Sequence, residues 1–376
     1  MKKIGLGLVL LAGMTLPSAV ADFASFPICT DGADQIRPAV SNGVVVWMDY
    51  RNGGSDIYGK DLLTGSEFVV STADTYLMRP AIDGNIVVWY TERTSWPLPS
   101  RFFVAGKDLS TGRDLSLHTQ YQYGGDDIHP AVSGNIVVWE NPFFDGAGEQ
   151  NSYILGQDLS TGSTIPVRPG GCNSFPSISG NVVVWQVHLL RNYPNQPAYI
   201  CGKDLSTGEV FAICANDADK YWPVISGNVV VWTDNRSGLF NIYAYDLSLH
   251  AEFPVSPIGA VQSGPAVSGN FVVWLDYRDP SPGIYGYDLS TGREFPIYSG
   301  APGVSPQSAA ISGNLVVWTD DRNGNFDIYG AYIPEPGTLS LVGLGLLILL
   351  NRSTNREEQF DRNRRSRPQL MVEAPV

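Results

Sequence analysis

The chain has 376 residues, a net charge of −13, 40 glycines, 26 prolines, four cysteines and four histidines. A surface this acidic repels phosphate backbones, which excludes nucleic acid and leaves cations, basic proteins and neutral glycans as partner classes. No Cys-x-x-Cys pair, HExxH, nucleophile elbow or glycine-rich phosphate loop is present, so a zinc site and the common motif-borne catalytic centres are not expected.

Residues 1–21 have the form of a secretory signal peptide. Lys2 and Lys3 begin it, Ile4 to Leu16 is its apolar run, and Ala19-Val20-Ala21 is a small-residue cleavage site, so that the mature chain begins after Ala21 at Asp22. The apolar run is too short to span a bilayer, which argues against a retained anchor.

Residues 22–333 repeat one unit seven times. The cleanest copy is Pro265 to Ile297. It reads as a brief strand at Ala266 to Ser268, a tight turn at Ser268-Gly269-Asn270 and an apolar strand at Asn270 to Leu275. An alternating strand at Ile284 to Leu289, a turn at Ser290-Thr291-Gly292 and a more polar last strand at Glu294 to Ile297 follow. A tryptophan marks each copy, at Trp47, Trp89, Trp139, Trp185, Trp232, Trp274 and Trp318, with spacings of 42 to 50 residues. A proline precedes each tryptophan by nine residues except in the last copy, where Ala309 stands. Four short strands at this period predict an all-β fold, a seven-bladed β-propeller of four-stranded antiparallel blades. The seventh copy lacks a fourth strand, and Phe26-Pro27-Ile28 repeats the pattern of Phe295-Pro296-Ile297. The N-terminal strand is therefore expected to close the ring.

In such a ring the Ser-Gly-Asn and Ser-Thr-Gly turns share one face, and the loops of variable length share the other. Recognition usually resides on variable loops carried by a rigid scaffold. The longest are Thr91 to Arg101, Glu140 to Ser152 and Gln186 to Ala198, carrying Trp96, Phe143, Phe144, His188 and Tyr193. The joints between copies add Tyr76, Tyr121, Tyr123, His129, Tyr221 and Trp222. Such aromatics suit a glycan or a protein ligand, or else they pin long loops to the sheets. The residues just before the repeat prolines, Arg37, Arg79, His129, Phe175, Trp222 and Gly264, are expected to ring the channel mouth. Arg37, Arg79 and His129 there form a basic arc, either an anion site or a neutraliser of Asp31, Asp34, Asp74, Asp126 and Asp127.

Other constellations are weaker. Trp-x-Asp-x-Arg recurs at Asp49/Arg51, Asp234/Arg236, Asp276/Arg278 and Asp320/Arg322, and this repetition points to a structural ion pair. Asp321, Asn323, Asn325 and Asp327 alternate as calcium ligands do, though a plain hairpin loop built on Asn323-Gly324 fits as well, and no other cofactor is expected. Cys201 and Cys214 flank one hairpin turn and are the favoured disulfide, with Cys172 as a rival and Cys29 free; the alternative is that all four are reduced and buried.

Two resemblances extend this reading. The run from Asp320 to Tyr329 and the Asp-Leu-Ser-Thr-Gly turns at Asp108, Asp158, Asp204 and Asp288 resemble TolB-like (WD40-like) propeller repeats. That resemblance implies a periplasmic or cell-surface protein that binds proteins or glycans. TolB-like polysaccharide lyases use metal-binding histidines, and this chain has only His118, His129, His188 and His250. Residues 334–356 open on Pro334-Glu335-Pro336, continue as an apolar run, Thr338 to Leu350, and reach Arg352 and Arg356. They resemble a PEP-CTERM sorting signal of Gram-negative bacteria. The resemblance implies a C-terminal hydrophobic helix in the membrane before processing, an exosortase-type protease as partner, and a link to exopolysaccharide. Arginines after an apolar run stay cytoplasmic, which places the ring outside. Gly337 to Leu350 is short for a bilayer core, and a basic tail, residues 357–376, runs beyond the signal's usual end. The resulting expectation is an exported, non-catalytic binding or structural module, the alternative being a polysaccharide lyase or glycoside hydrolase on the variable face.

Overall fold

The structure, a computed structural model, describes residues 22–72, 76–95, 98–117, 128–144, 150–168, 172–188, 197–214, 216–257 and 259–334. All regular structure in these residues is β-strand. They form five four-stranded sheets and one eight-stranded sheet, which consists of two four-strand units joined by a single parallel pairing of Ser152 with Cys172.

The copy around Trp274 shows how the sequence builds a unit. Gln262–Ser268, Phe271–Asp276, Gly283–Asp288 and Arg293–Tyr298 pair in that order, all antiparallel. The second strand is covered on both faces, and Val272, Val273 and Trp274 are fully buried, as its unbroken apolar run requires. The fourth strand is the outer edge, where Pro296 can sit at a bulge without breaking a ladder. At Gly286 a Cβ would come within 2.6 Å of the Phe295 ring, so only glycine lets that ring lie flat on the third strand.

Neighbouring sheets pack face to face through the tryptophan strands. Trp274 and Val272 meet Val231, Ile242 and Val255 of the preceding sheet, while Val273 and Leu275 face Trp318 and Val316 of the next. The turns add a circular chain of bonds. Ser41 Oγ accepts the Gly84 N–H, Asp83 the Gly134 N–H, Ser133 the Gly180 N–H, and so on through Ser179, Ser226 and Ser268. Ser312 then accepts the N–H of Asn42 at 3.2 Å and returns the chain of bonds to its start.

Phe26–Cys29 pairs with Asp327–Tyr332 as the outer strand of the last sheet, in the place that the leftover Phe-Pro-Ile signature indicates. Phe26 and Ile28 pack over Gly330 as Phe295 and Ile297 pack over Gly286. Asp22 ties the start of the described residues to Ser299, its carboxylate accepting the Ser299 backbone N–H at 2.9 Å and the Ser299 hydroxyl at 2.5 Å.

Two expectations change. Two of the three long loops are extended as paired strands, Ile86–Ser95 with Leu98–Asp108 and Ile136–Phe144 with Gln150–Asp158; most of the third, Gln186 to Ala198, lies outside the described residues. The Cys201–Cys214 disulfide does not form. A bulge sets Cys201 opposite Ala212 and Cys214 opposite Ile200. Cys201 then packs against Trp185 and Val183, and Cys214 against Trp232 and Val230 on the other side of the sheet, so the two thiols diverge; none of the four cysteines is disulfide-bonded. The expected hydrophobic C-terminal helix, over Thr338 to Leu350, lies outside the described residues. Among the described residues no helix is long and apolar enough to cross a membrane.

Candidate functional site at the channel mouth

The innermost strands converge on a cavity of about 790 Å³. Its lining includes every residue that the sequence places before a repeat proline: Arg37, Arg79, His129, Phe175, Trp222 and Gly264, with Ser308 in the last copy.

The backbone there is unusual. Arg37, Arg79, Phe175, Trp222 and Ser308 have φ of 55°, 51°, 53°, 56° and 49°, and Gly264 has 59°. Residues before proline normally take extended conformations, and the left-handed region costs a non-glycine residue roughly 1–2 kcal/mol. The cause is a repeated bulge. Ile36 pairs with Met48 and Ala39 with Val46, so Arg37 and Pro38 together face the single residue Trp47. Equivalent shifts occur at Met78/Ala81, Ser174/Ser177, Tyr221/Val224, Ser263/Ala266 and Gln307/Ala310. Each bulge buries its proline, or Ala309 in part, and aims the preceding side chain at the cavity.

Glycine would relieve this conformation, yet glycine occupies it only at Gly264 among these positions. Backbone strain held at a concave site marks a place where side chains are retained for what they touch. The side chains also differ around the ring. Arg37, Arg79 and His129 make one sector, Phe175 and Trp222 the next, and Gly264, Ser308 and Ala309 a third, small one.

A buried carboxylate that the sequence reading missed supports the middle of the site. Glu140 follows Trp139 in its strand, is only 5% exposed, and approaches His129 Nδ1 at 3.3 Å. Its other bond accepts the strained Phe175 backbone N–H. Gln186 has the same place after Trp185 and accepts the Trp222 N–H at 3.3 Å. Glu140 is the only carboxylate in that column, whose other members include Met48, Tyr90 and Thr233.

Aromatic rings continue outward from the mouth. The His129 ring lies 4.2 Å from Phe175, Phe175 meets Trp222 edge-on at 6.4 Å, and Trp222 lies 5.8 Å from Tyr221. Tyr221 touches Phe240 at 5.8 Å and His188 at 6.5 Å. Burial lowers the His188 imidazole below its ordinary range. Phe143 is stacked on Tyr153 at 4.2 Å along its own hairpin, away from this chain of contacts. Phe144 lies on a described strand but its side chain is outside the described residues, as are Trp96 and Tyr193 entirely. Ala21, Glu335 and Pro336 are also outside them, and Pro334 ends the described ring.

The Trp-x-Asp-x-Arg sites are scaffold. Asp276 accepts the Trp274 indole N–H at 2.9 Å, the Gln262 amide at 2.9 Å and three bonds from Arg278 at 2.6–2.9 Å. Arg278 in turn lies 3.9 Å over the Tyr285 ring and pairs with Glu294. Asp49, Asp234 and Asp320 repeat the arrangement. The copies around Trp139 and Trp185 lack the aspartate, and there the indole N–H is buried without a hydrogen-bond partner.

The calcium reading of Asp321, Asn323, Asn325 and Asp327 gives way to a hydrogen-bonded turn. Asn323 donates to Asp327 at 2.7 Å, and Asn325 donates to Asp327 and to the carbonyls of Asp31 and Ala33. Asp321 is turned away, accepting the Ser305 N–H. Among the described residues no three His, Cys, Asp or Glu side chains are grouped to hold a metal.

No protein-family profile and no characterised sequence matches the chain. Solved structures do match. A prolyl endopeptidase aligns at a TM-score of 0.61 and 14% identity over 79% of this chain. The β-propeller domain of the Trilobed protease from Pyrococcus furiosus aligns at 0.57 and 14%, over 71% of this chain and 86% of that one. Oligogalacturonate lyase from Vibrio parahaemolyticus aligns at 0.58 and 12%, over 84% and 95%. The chain spans 46% of the prolyl endopeptidase and 50% of an acylaminoacyl peptidase from Pyrococcus horikoshii. These likenesses establish the β-propeller fold. The structures named here that share the fold include peptidases and a lyase, so the fold gives no support to the expectation of a non-catalytic chain, and that expectation is withdrawn.

Proposed function

We propose that this chain is an exported, cell-surface propeller of seven TolB-like blades that binds a glycan or protein ligand at its channel mouth. The observation that carries the reading is the ring of left-handed, non-glycine residues, Arg37, Arg79, Phe175, Trp222 and Ser308, around one cavity. Seven turn-to-turn bonds that return from Ser312 to Asn42 support the blade number.

Delivery follows from the chain ends. The signal peptide is removed before Asp22, and residues 334–356 act as a PEP-CTERM sorting signal handled by an exosortase-type protease. The helix holds the chain in the membrane until then, and the ring works in or near an extracellular polysaccharide matrix. Mass spectrometry of the chain from the native envelope tests this: termini at Asp22 and near Pro334 are expected, and an intact residue 376 on all surface material would contradict processing.

Binding is tested on glycan and envelope-protein arrays, with product release monitored in the same wells because the structural neighbours are enzymes. Capture by the wild-type chain, lost in Arg79→Gln and Trp222→Ala variants of unchanged melting temperature, is the expected result. Capture unaffected by both substitutions would remove the mouth as the site.

A further inference from the structure

The mouth has a chemical asymmetry that narrows the ligand further, on the reading that it is the binding site. Its three sectors are cationic, aromatic and small, in that order around the cavity. Arg37 and Arg79 stand on adjacent repeats, and both are held at left-handed φ so that their side chains line the same cavity. His129 continues the arc, its ring oriented by Glu140 at 3.3 Å and by Phe175 at 4.2 Å. Two guanidinium groups at one concave site match a carboxylate, which an arginine fork can engage through paired hydrogen bonds.

The adjoining sector offers flat apolar faces. Trp222 is 40% exposed despite lining the cavity, and its ring leads through the half-buried Tyr221 to Phe240, which is 36% exposed. The small sector, Gly264, Ser308 and Ala309, leaves room for a ligand that enters beside the aromatics. A cavity of about 790 Å³ lies within the usual range for ligands of a few rings.

The charge of the whole molecule sets the last limit. A body of −13 repels a dense polyanion, and its field extends beyond the small basic arc. An isolated negative group avoids most of that repulsion and still meets Arg37 and Arg79. We infer that the mouth binds a sugar unit bearing one carboxylate within an otherwise neutral glycan, with the carboxylate on the Arg37/Arg79 arc and a sugar face on Trp222. A continuous polyuronate fits the arc but not the body. A peptide C-terminus supplies the carboxylate but makes little use of the aromatic rings, Tyr221 and Phe240, that follow Trp222.

The test is titration calorimetry on the mature chain with four probes: a glucuronosyl-glucose disaccharide, cellobiose as its uncharged counterpart, pentagalacturonate, and the dipeptide Gly-Phe. The disaccharide acid is expected to bind at least 10-fold more tightly than cellobiose and more tightly than pentagalacturonate or Gly-Phe. Arg79→Gln should bring the acid down to the cellobiose level, and Trp222→Ala should weaken both sugars. Equal binding of acid and neutral sugar, preference for pentagalacturonate or Gly-Phe, or no binding by any probe overturns the inference. If Gly-Phe or pentagalacturonate is preferred but lost in Arg79→Gln, the mouth stands as the site and only the ligand class falls. If a probe binds and neither substitution affects it, the mouth reading falls as well.

Discussion

Replacing the strained mouth residues first by alanine and then by glycine separates backbone cost from side-chain contacts. At Arg37, Arg79, Phe175 and Trp222 both substitutions remove the same contacts beyond Cβ, so their difference isolates the conformation. With φ between 51° and 56°, a residue carrying Cβ bears roughly 1–2 kcal/mol that glycine does not. Glycine returns about 0.5–1 kcal/mol of that through its larger unfolded-state entropy. Each glycine variant should therefore be more stable than its alanine partner by about 0.5–1 kcal/mol. Val69, on the ordinary outer strand Glu67–Ser71 and 49% exposed, is the control, and there the order should reverse by a similar amount. Chemical denaturation at equilibrium reads the differences. Alanine variants as stable as, or more stable than, glycine variants at all four mouth positions would refute the strain on which the site assignment rests. Ser308→Gly, which gives up little contact, should stabilise the ring outright by up to about 1 kcal/mol.

Asp276→Ala leaves the Arg278 guanidinium and the Trp274 indole without their shared acceptor and should cost about 3–5 kcal/mol in the same assay; a loss below about 1 kcal/mol would contradict the structural role. Burial pushes the Asp234 and Asp276 carboxyls up, but bonds from Arg236, Arg278 and the indoles outweigh it and hold both below the ordinary range. A depressed folded pKa contributes stability above the unfolded value of about 3.9, lost as pH falls through the folded value. Urea stability should therefore fall from about pH 4 downward, and Asp276→Asn should flatten that fall. Burial raises the Cys29 and Cys214 thiols to about 11, so alkylation of these two at pH 8 should be slow in the folded chain and fast after denaturation. Chelation should leave the melting temperature unchanged, because Asn323 and Asn325 already occupy Asp327.

Much of the fold was legible because the tryptophan and proline columns repeat at fixed spacing. The closing strand was legible for the same reason: Phe26 and Ile28 occupy the places of Phe295 and Ile297 over a third-strand glycine. The ring of mouth residues followed from the proline column, but its left-handed backbone did not. A pre-proline residue on its own favours extended structure, and only pairing two residues against one tryptophan forces the turn. Glu140 was missed although its signal was present, as the one carboxylate in a column that otherwise reads Met, Tyr, Gln, Thr and Leu. By length alone the segments near Phe143 read as loops, whereas the two strands there keep pairing as far as Phe144 and Gln150. The disulfide expectation counted residues along a hairpin, whereas the bulge between Ile200 and Cys201 decides which face each thiol takes.

The most direct measurement is a crystal structure of the chain with whatever ligand the arrays or titrations identify. Ligand density between the Arg37/Arg79 arc and the Trp222 ring is the result expected here. Density confined to the Ser-Gly-Asn turn face, with an empty mouth, would contradict the assignment of function to the strained ring.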